Sequence, residues 1–201
     1  MSSAALDYSQ YYTYADVLEW DESVRAEIID GDVYMMAPPL TEHQRILGKI
    51  YRIIGNFLEG KRCQVFPAPF GVRLFPRDNL SDGTFVEPDI VVICDSSKLD
   101  ARGCNGAPDL IIEILSPSNR SHDKLVKFQK YLAAGVREYW IVDPEEQLVH
   151  VHILDAGRYI TTVYGPEDDV PVSILPGCVI KLPEVFTLSQ PDQSATGPDP
   201  R

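Results

Sequence analysis

Two short apolar runs each carry one carboxylate where a buried strand should carry none. Pro88-Asp89-Ile90-Val91-Val92-Ile93 opens on an acid, and Asp109-Leu110-Ile111-Ile112-Glu113-Ile114-Leu115 encloses one. An ionised carboxylate in such a place is costly unless it is paired, hydrogen-bonded or bound to a metal. Two of them on adjacent strands make a small oxygen-rich cage of the kind Mg²⁺ takes. Asp89 also fits a strand-opening turn after Pro88. Glu113 resists so plain an account, because Ile111, Ile112, Ile114 and Leu115 beside it are all bulky and apolar.

A cation belongs in the same picture. Glu113 lies roughly 10 Å from the end of its strand at the usual rise. Lys127, about six residues into the helix that follows, lies roughly 9 Å along that helix axis. The two therefore reach similar heights, and Tyr131, four residues on, shares the face of Lys127. An ammonium beside two carboxylates and a metal can orient or deprotonate a water and stabilise charge on a phosphorane-like transition state. The competing reading is an exposed Asp123–Lys127 helix pair that adds little to stability. Glu27 is an auxiliary candidate against a solvated strand-edge acid, and His43 against a cap or packing residue. His150 and His152 alternate with Val149, Val151 and Ile153 and are expected to face solvent together.

Other chemistries lack their residues. There is no G-x-S-x-G elbow, P-loop, dinucleotide glycine fingerprint or H-E-x-x-H in the chain,. Ser116 and Ser118 flank a proline without an evident His–Asp relay.

The elements that must position these groups follow from patterning. Thr13 caps a short helix over 14–19, and Ala26 to Met36 makes a hairpin around Asp30-Gly31. Thr41 caps a helix to about Glu59, with Ile46, Leu47, Ile50, Ile53, Ile54, Phe57 and Leu58 as its apolar stripe and Gly60 as its stop. Strands are expected over 63–66 and 70–75, then the Asp89 strand, a loop over 96–108 and the Glu113 strand. A helix over 122–134 follows, with Ser121 as N-cap and Gly135 at its end. Strands over 138–142, 148–154 and 159–163 complete the order. Runs apolar on both faces mark strands buried on both sides. The fold class is α/β of mixed α+β character: a central mixed sheet flanked by helices, with an N-terminal hairpin and a C-terminal antiparallel meander.

At 201 residues the chain suits one domain, here 14–188, with a loose lead-in over 1–13 and a disordered tail over 189–201. No run approaches the roughly 20 apolar residues of a membrane span, and 1–22 lacks the features of a secretory signal. Cys63, Cys94, Cys104 and Cys178 form no C-x-x-C pair, so free thiols in a reducing cytoplasm are expected rather than a disulfide or zinc framework. Thirty acids face 18 bases, a net charge of −12. That balance argues against indiscriminate DNA binding and leaves room for a local basic patch or a dimeric groove.

Several spaced segments together carry a resemblance: Glu27-Ile28-Ile29-Asp30-Gly31, Ala37-Pro38-Pro39 with His43-Gln44, Glu87-Pro88-Asp89, Pro108 to Ser118, Asp123 to Lys127, and Gly135 to Asp143. Over roughly 14–186 the chain resembles the PD-(D/E)XK nuclease superfamily and, more narrowly, its Uma-two branch of bacterial restriction-endonuclease-like proteins. The resemblance implies a restriction-endonuclease-like core in which Asp89 and Glu113 bind Mg²⁺, or Mn²⁺ in its place, helped by the backbone carbonyl of Ile114. The superfamily motif wants Lys two residues after the acid, where this chain has Leu115; in this branch the role falls to Lys127. The expected activity is metal-dependent hydrolysis of DNA phosphodiester bonds. Its rival is an inactive module that keeps the fold and binds a partner. A homodimer is expected as well, because Val149, Val151 and Ile153 would leave an apolar face that monomers seldom expose.

Overall fold

The two acid-bearing runs become neighbouring strands, and the rest of the molecule is arranged around them. The computed structural model describes residues 6–21, 23–116 and 123–187. Its main sheet has the strand order Arg158–Tyr164 (β12), Leu148–Asp155 (β11), Glu138–Asp143 (β10), Leu110–Ile114 (β9), Ile90–Ile93 (β6) and Gln64–Pro67 (β3). Only the β9–β10 pair is parallel. A helical crossover joins those two strands, as parallel neighbours require. It begins as a π-helical stretch, Asp123–Lys127, and continues as an α-helix, Phe128–Ala134, the two together α3. Gly135 ends α3 in the left-handed conformation, as its position predicts,. The expected cap Ser121 lies outside the described residues.

Every residue of β6 and β9 is buried. Ile90, Val92, Leu110, Ile112 and Ile114 pack on one side of the sheet, against the helix Thr41–Leu58 (α2). Val91, Ile93, Ile111 and Leu115 pack on the other, with Tyr131 of α3 and the apolar residues of a second sheet. That sheet runs Asp32–Met35 (β2), Ala26–Ile29 (β1), Phe85–Val86 (β5), Val72–Arg73 (β4), Gly103–Asn105 (β8) and Leu99–Asp100 (β7). The family-like mixed sheet with an added hairpin is thus the observed architecture. Thr41 is the first helical residue of α2 rather than its cap, which is Leu40.

Four expectations need correcting. The lead-in is not loose where it is described: Leu6 and Tyr12 are buried with Tyr14 (first residue of the short helix Tyr14–Val17, α1) and Ile28, and the Tyr12 N–H donates to Gly31. The tail over 189–201 lies outside the described residues. Cys63 and Cys94 form a disulfide. Pairing of Gln64 with Ile93 sets the flanking cysteines opposite each other, which cysteine spacing alone does not reveal. Cys104 and Cys178 are free and buried, and burial pushes the Cys104 thiol up to about 11.

The other two concern the meander. His152 is buried, packed edge-on against Phe128 and beside Tyr139 and Tyr159, with Nδ1 2.7 Å from Thr161 Oγ1; the sheet face opposite Val149 and Val151 is thus covered there too, and the two histidines do not face solvent together. The apolar face carrying Val149 and Val151 needs no second copy. It is covered by a segment the periodicity left without elements: strands Asp169–Pro171 (β13) and Val179–Lys181 (β14) and the helix Leu182–Phe186 (α4). Buried Glu138 fastens this cover, accepting hydrogen bonds from the backbone N–H groups of Ser173 and Ile174 and from Trp140 Nε1.

Candidate active site

Register places the two acids together. Ile90 stands opposite Ile112, so Asp89, one residue before β6, comes level with Glu113 in β9. Side chains alternate across a strand, which turns Asp89 the way of Val91 and Glu113 the way of Ile111 and Leu115. Both acids therefore belong to the face covered by α3 and the second sheet.

Lys127 meets them there. Its Nζ lies 3.0 Å from Glu113 Oε1 and 2.8 Å from Glu27 Oε2. Lys127 is 3 % exposed, Glu113 3 % and Glu27 4 %, so this is a buried ion cluster and not a surface helix pair. One turn along α3, Tyr131 Oη donates to Glu113 Oε1 at 2.6 Å. Burial first, and then the charge of Glu113, hold the Tyr131 hydroxyl well above the usual phenol range; the group stays protonated and donates.

Glu27 reaches the cluster from β1, and its Oε1 also accepts the Glu87 N–H at 2.9 Å. Asp89 Oδ2 accepts the Ile114 N–H at 2.7 Å and lies 3.1 Å from His43 Nε2 in the first turn of α2. His43 is buried beside Asp89 and so does more than cap the helix. All of Asp89, Glu113, Lys127, Glu27, His43 and Tyr131 are brought together, and the first five line a cleft of about 380 Å³.

The sequence reading missed the rim. Arg25 and Glu87 pair at 3.3 Å, and Met35, Met36, Pro38 and Pro39 form an apolar wall. Glu87 sits two residues before Asp89 in Glu87-Pro88-Asp89, a proximity that could have marked it. Leu115, at the superfamily's usual lysine position, is core, 3 % exposed. A lysine there would be buried among aliphatic side chains, which explains why the cation comes from α3.

The donor set suits a hard divalent cation. Glu27 and Glu113 face the Lys127 ammonium, and Asp89 stands beside them against His43. Among the described residues, no group of three or more His, Cys, Asp or Glu is placed to hold a metal ion by itself. A divalent ion held by Asp89 and Glu113 would take its remaining ligands from water or a substrate oxygen. No helix of the described residues is long and apolar enough to cross a membrane.

Known proteins resemble this chain in sequence and in fold. The chain is 27% identical over 157 residues to the uncharacterized protein slr1290 of Synechocystis sp., covering 76% of this chain and 80% of that one. A second Synechocystis protein, sll1609, is 26% identical over 136 residues, covering 65% and 74% of the two chains. The crystal structure of a putative nuclease of the DUF820 group from Anabaena variabilis superposes with a TM-score of 0.70 at 25% identity, covering 87% of this chain and 97% of that one. The model of the putative restriction endonuclease family matches residues 10–183. Nearly all the described chain falls in that match, and this protein belongs to the Uma2 family of putative restriction endonucleases.

Proposed function

We propose that this protein is a Mg²⁺-dependent endonuclease that hydrolyses DNA phosphodiester bonds in the cleft between the two sheets. The observation that carries the reading is the level pair Asp89 and Glu113 with the Lys127 ammonium 3.0 Å from Glu113. Asp89 and Glu113, with the Ile114 carbonyl, would hold the metal, which supplies Lewis-acid polarisation of the phosphate and a more acidic bound water.

The chain's own residues do the rest. The Ile114 N–H and His43 fix the carboxylate of Asp89, and Tyr131 and Lys127 fix that of Glu113. Glu27 holds the Lys127 ammonium from the opposite side. The lysine thereby places a preorganised positive charge where the phosphate gains negative charge, the most effective kind of transition-state stabilisation. Its Nζ can also position the attacking water.

The test is cleavage of single-stranded, duplex and branched DNA at low salt with Mg²⁺ or Mn²⁺, alongside calorimetric Mn²⁺ titration. Wild type should cleave and bind Mn²⁺, and Glu113→Gln should do neither while keeping its fold. Mn²⁺ binding without cleavage of any of these DNAs, or of RNA, would point to the non-catalytic module. Absence of both would refute the metal site itself.

Assembly shifts to another surface. With the inner face covered, the outer strand β12 offers exposed Ile160 and Val163. A homodimer pairing two β12 edges is the arrangement this surface supports. Wild type should show a dimer mass by light scattering at micromolar concentration, and Val163→Lys a monomer mass; a monomeric wild type refutes the dimer.

A further inference from the structure

A polyanion entering the cleft meets mostly carboxylates. Glu27, Glu87, Asp89 and Glu113 all line it, in a chain whose acids outnumber its bases 30 to 18. Among the described residues, the Lys and Arg side chains that line it are Lys127 and Arg25. Lys127 is committed to Glu27 and Glu113, and its side chain is 4 % exposed. Arg25 stands at the rim, with its side chain 44 % exposed. We propose that Arg25 grips a substrate phosphate flanking the scissile one, and that Glu87 holds its guanidinium until that phosphate arrives. The assignment rests on the DNA-cleaving reading above and adds to it a residue that binds the substrate away from the reacting atoms.

Backbone pairing sets this rim pair one step out from the reacting cluster. The Arg25 carbonyl accepts the Met36 N–H, which continues the β1–β2 ladder past the pair Ala26 and Met35. Arg25 and Glu27 are therefore two residues apart on extended chain and share a face. On the neighbouring segment, Glu87 directly follows β5, and its N–H donates to Glu27 Oε1. The Arg25–Glu87 pair thus lies beside the Glu27–Lys127 pair, displaced by about 7 Å at the usual strand rise. That is about two nucleotides at a 3.4 Å rise per strand, which suits a flanking phosphate and not the one being cut.

The contact with Glu87 is of a kind that a phosphate can replace. Glu87 Oε2 takes one N–H, from Arg25 Nη2, at 3.3 Å. A close charge-assisted bond is shorter, about 2.7–2.9 Å. A guanidinium carries its donors in a planar fork that matches two phosphate oxygens as well as it matches a carboxylate. The pair is open to water, and such pairs add little to stability. Glu87 thus keeps the fork at the mouth of the cleft without binding it tightly. A plain strap between two strand ends would behave otherwise: losing either partner would lower stability and leave affinity for DNA alone.

The experiment measures binding of the full chain to a short fluorescein-labelled DNA duplex, and to one of its single strands, in EDTA so that nothing is cut. Arg25→Ala should bind about tenfold more weakly at low salt, the scale of one charged hydrogen-bonding group. It should also flatten the log–log salt slope by about 0.9 on duplex or 0.7 on single strand, one phosphate contact. Arg25→Lys should keep the slope and recover part of the affinity, as a point charge without the fork. Glu87→Gln should move the other way, to about threefold tighter binding, because the competitor for the guanidinium is gone. In the Arg25→Ala background the same change should gain less than about 1.5-fold. With Mg²⁺ present, Arg25→Ala should lower kcat/KM about tenfold, with the loss carried by KM, as for binding shared by ground and transition states.

Wild-type affinity and slope in Arg25→Ala, with wild type cleaving DNA, would overturn the grip and leave the catalytic reading intact. An equal gain from Glu87→Gln in both backgrounds would overturn the exchange. Lower thermal midpoints in Arg25→Ala and Glu87→Gln with unchanged affinity would mark a strap and overturn both. Arg25-dependent binding by a wild type that cleaves nothing would support the phosphate contact and sink the nuclease. A wild type that binds neither DNA would overturn the grip.

Discussion

Lys127 shows how a correct pairing can hide a wrong environment. Height along strand and helix was enough to bring it to Glu113, because both are set by rise per residue. Its burial was not visible, since that depends on β1 delivering Glu27 from the second sheet. The exposed lysine expected from the sequence could be removed at little cost, but the observed one cannot. Lys127→Met leaves two buried carboxylates without their ammonium and should cost about 3–5 kcal/mol in urea unfolding, the scale for breaking a buried ion pair. Adding Glu27→Gln should restore at least half of that stability, while cleavage in both variants stays at least about a hundredfold below wild type. Failure of the double variant to recover would place the destabilisation elsewhere than in the charge cluster.

At the level of elements, the strands and helices around the site were legible because each obeys one dominant rule. Strands β6 and β9 are apolar on both faces, α2 is amphipathic, and Asp30-Gly31 and Gly135 punctuate. The C-terminal cover was not, because β13 and β14 are short and their pattern is completed by Glu138 from a distant strand. Two glycines separate local from tertiary constraint. Gly135 has φ +83 with open space around a Cβ, whereas at Gly103, φ +122, a Cβ would stand 2.2 Å from the Gly71 carbonyl oxygen. Gly135→Ala should therefore cost about 1 kcal/mol. Gly103→Ala should cost more, about 2–3 kcal/mol, since strain adds to a clash with backbone that cannot rotate away. Equal thermal shifts for the two would refute this distinction.

The whole molecule adds constraints that no segment displays alone. The Cys63–Cys94 bridge closes a loop with a sequence separation of 31, and loop-closure entropy gives it a contribution of about 3–4 kcal/mol. Cys63→Ser/Cys94→Ser should lower stability by that order in urea titrations; an unchanged midpoint would show that the unfolded chain is not so constrained. Buried His152 supplies a pH dependence. Burial, and secondarily His150, depress its pKa from 6.5 to about 4. Between those values the unfolded chain binds the proton and the folded chain does not, so this contribution to stability is full above pH 6.5 and lost as pH falls toward 4. His152→Phe should remove that part of the acid slope, and parallel wild-type and variant curves over pH 4–7 would contradict it.

The ammonium that bridges the two sheets also has a history in time. Glu27 and Lys127 are 100 residues apart, and Asp89 and Glu113 emerge from the ribosome between them. At about 5–20 residues per second, a growing chain waits about 5–20 s between its first acid and its cation. Until then the acids are present without the ammonium that pairs with Glu27 and Glu113. The cluster closes only when the second sheet docks on the first through α3, so a half-made molecule has the acids Glu27, Asp89 and Glu113 but not the ion cluster that joins the two sheets.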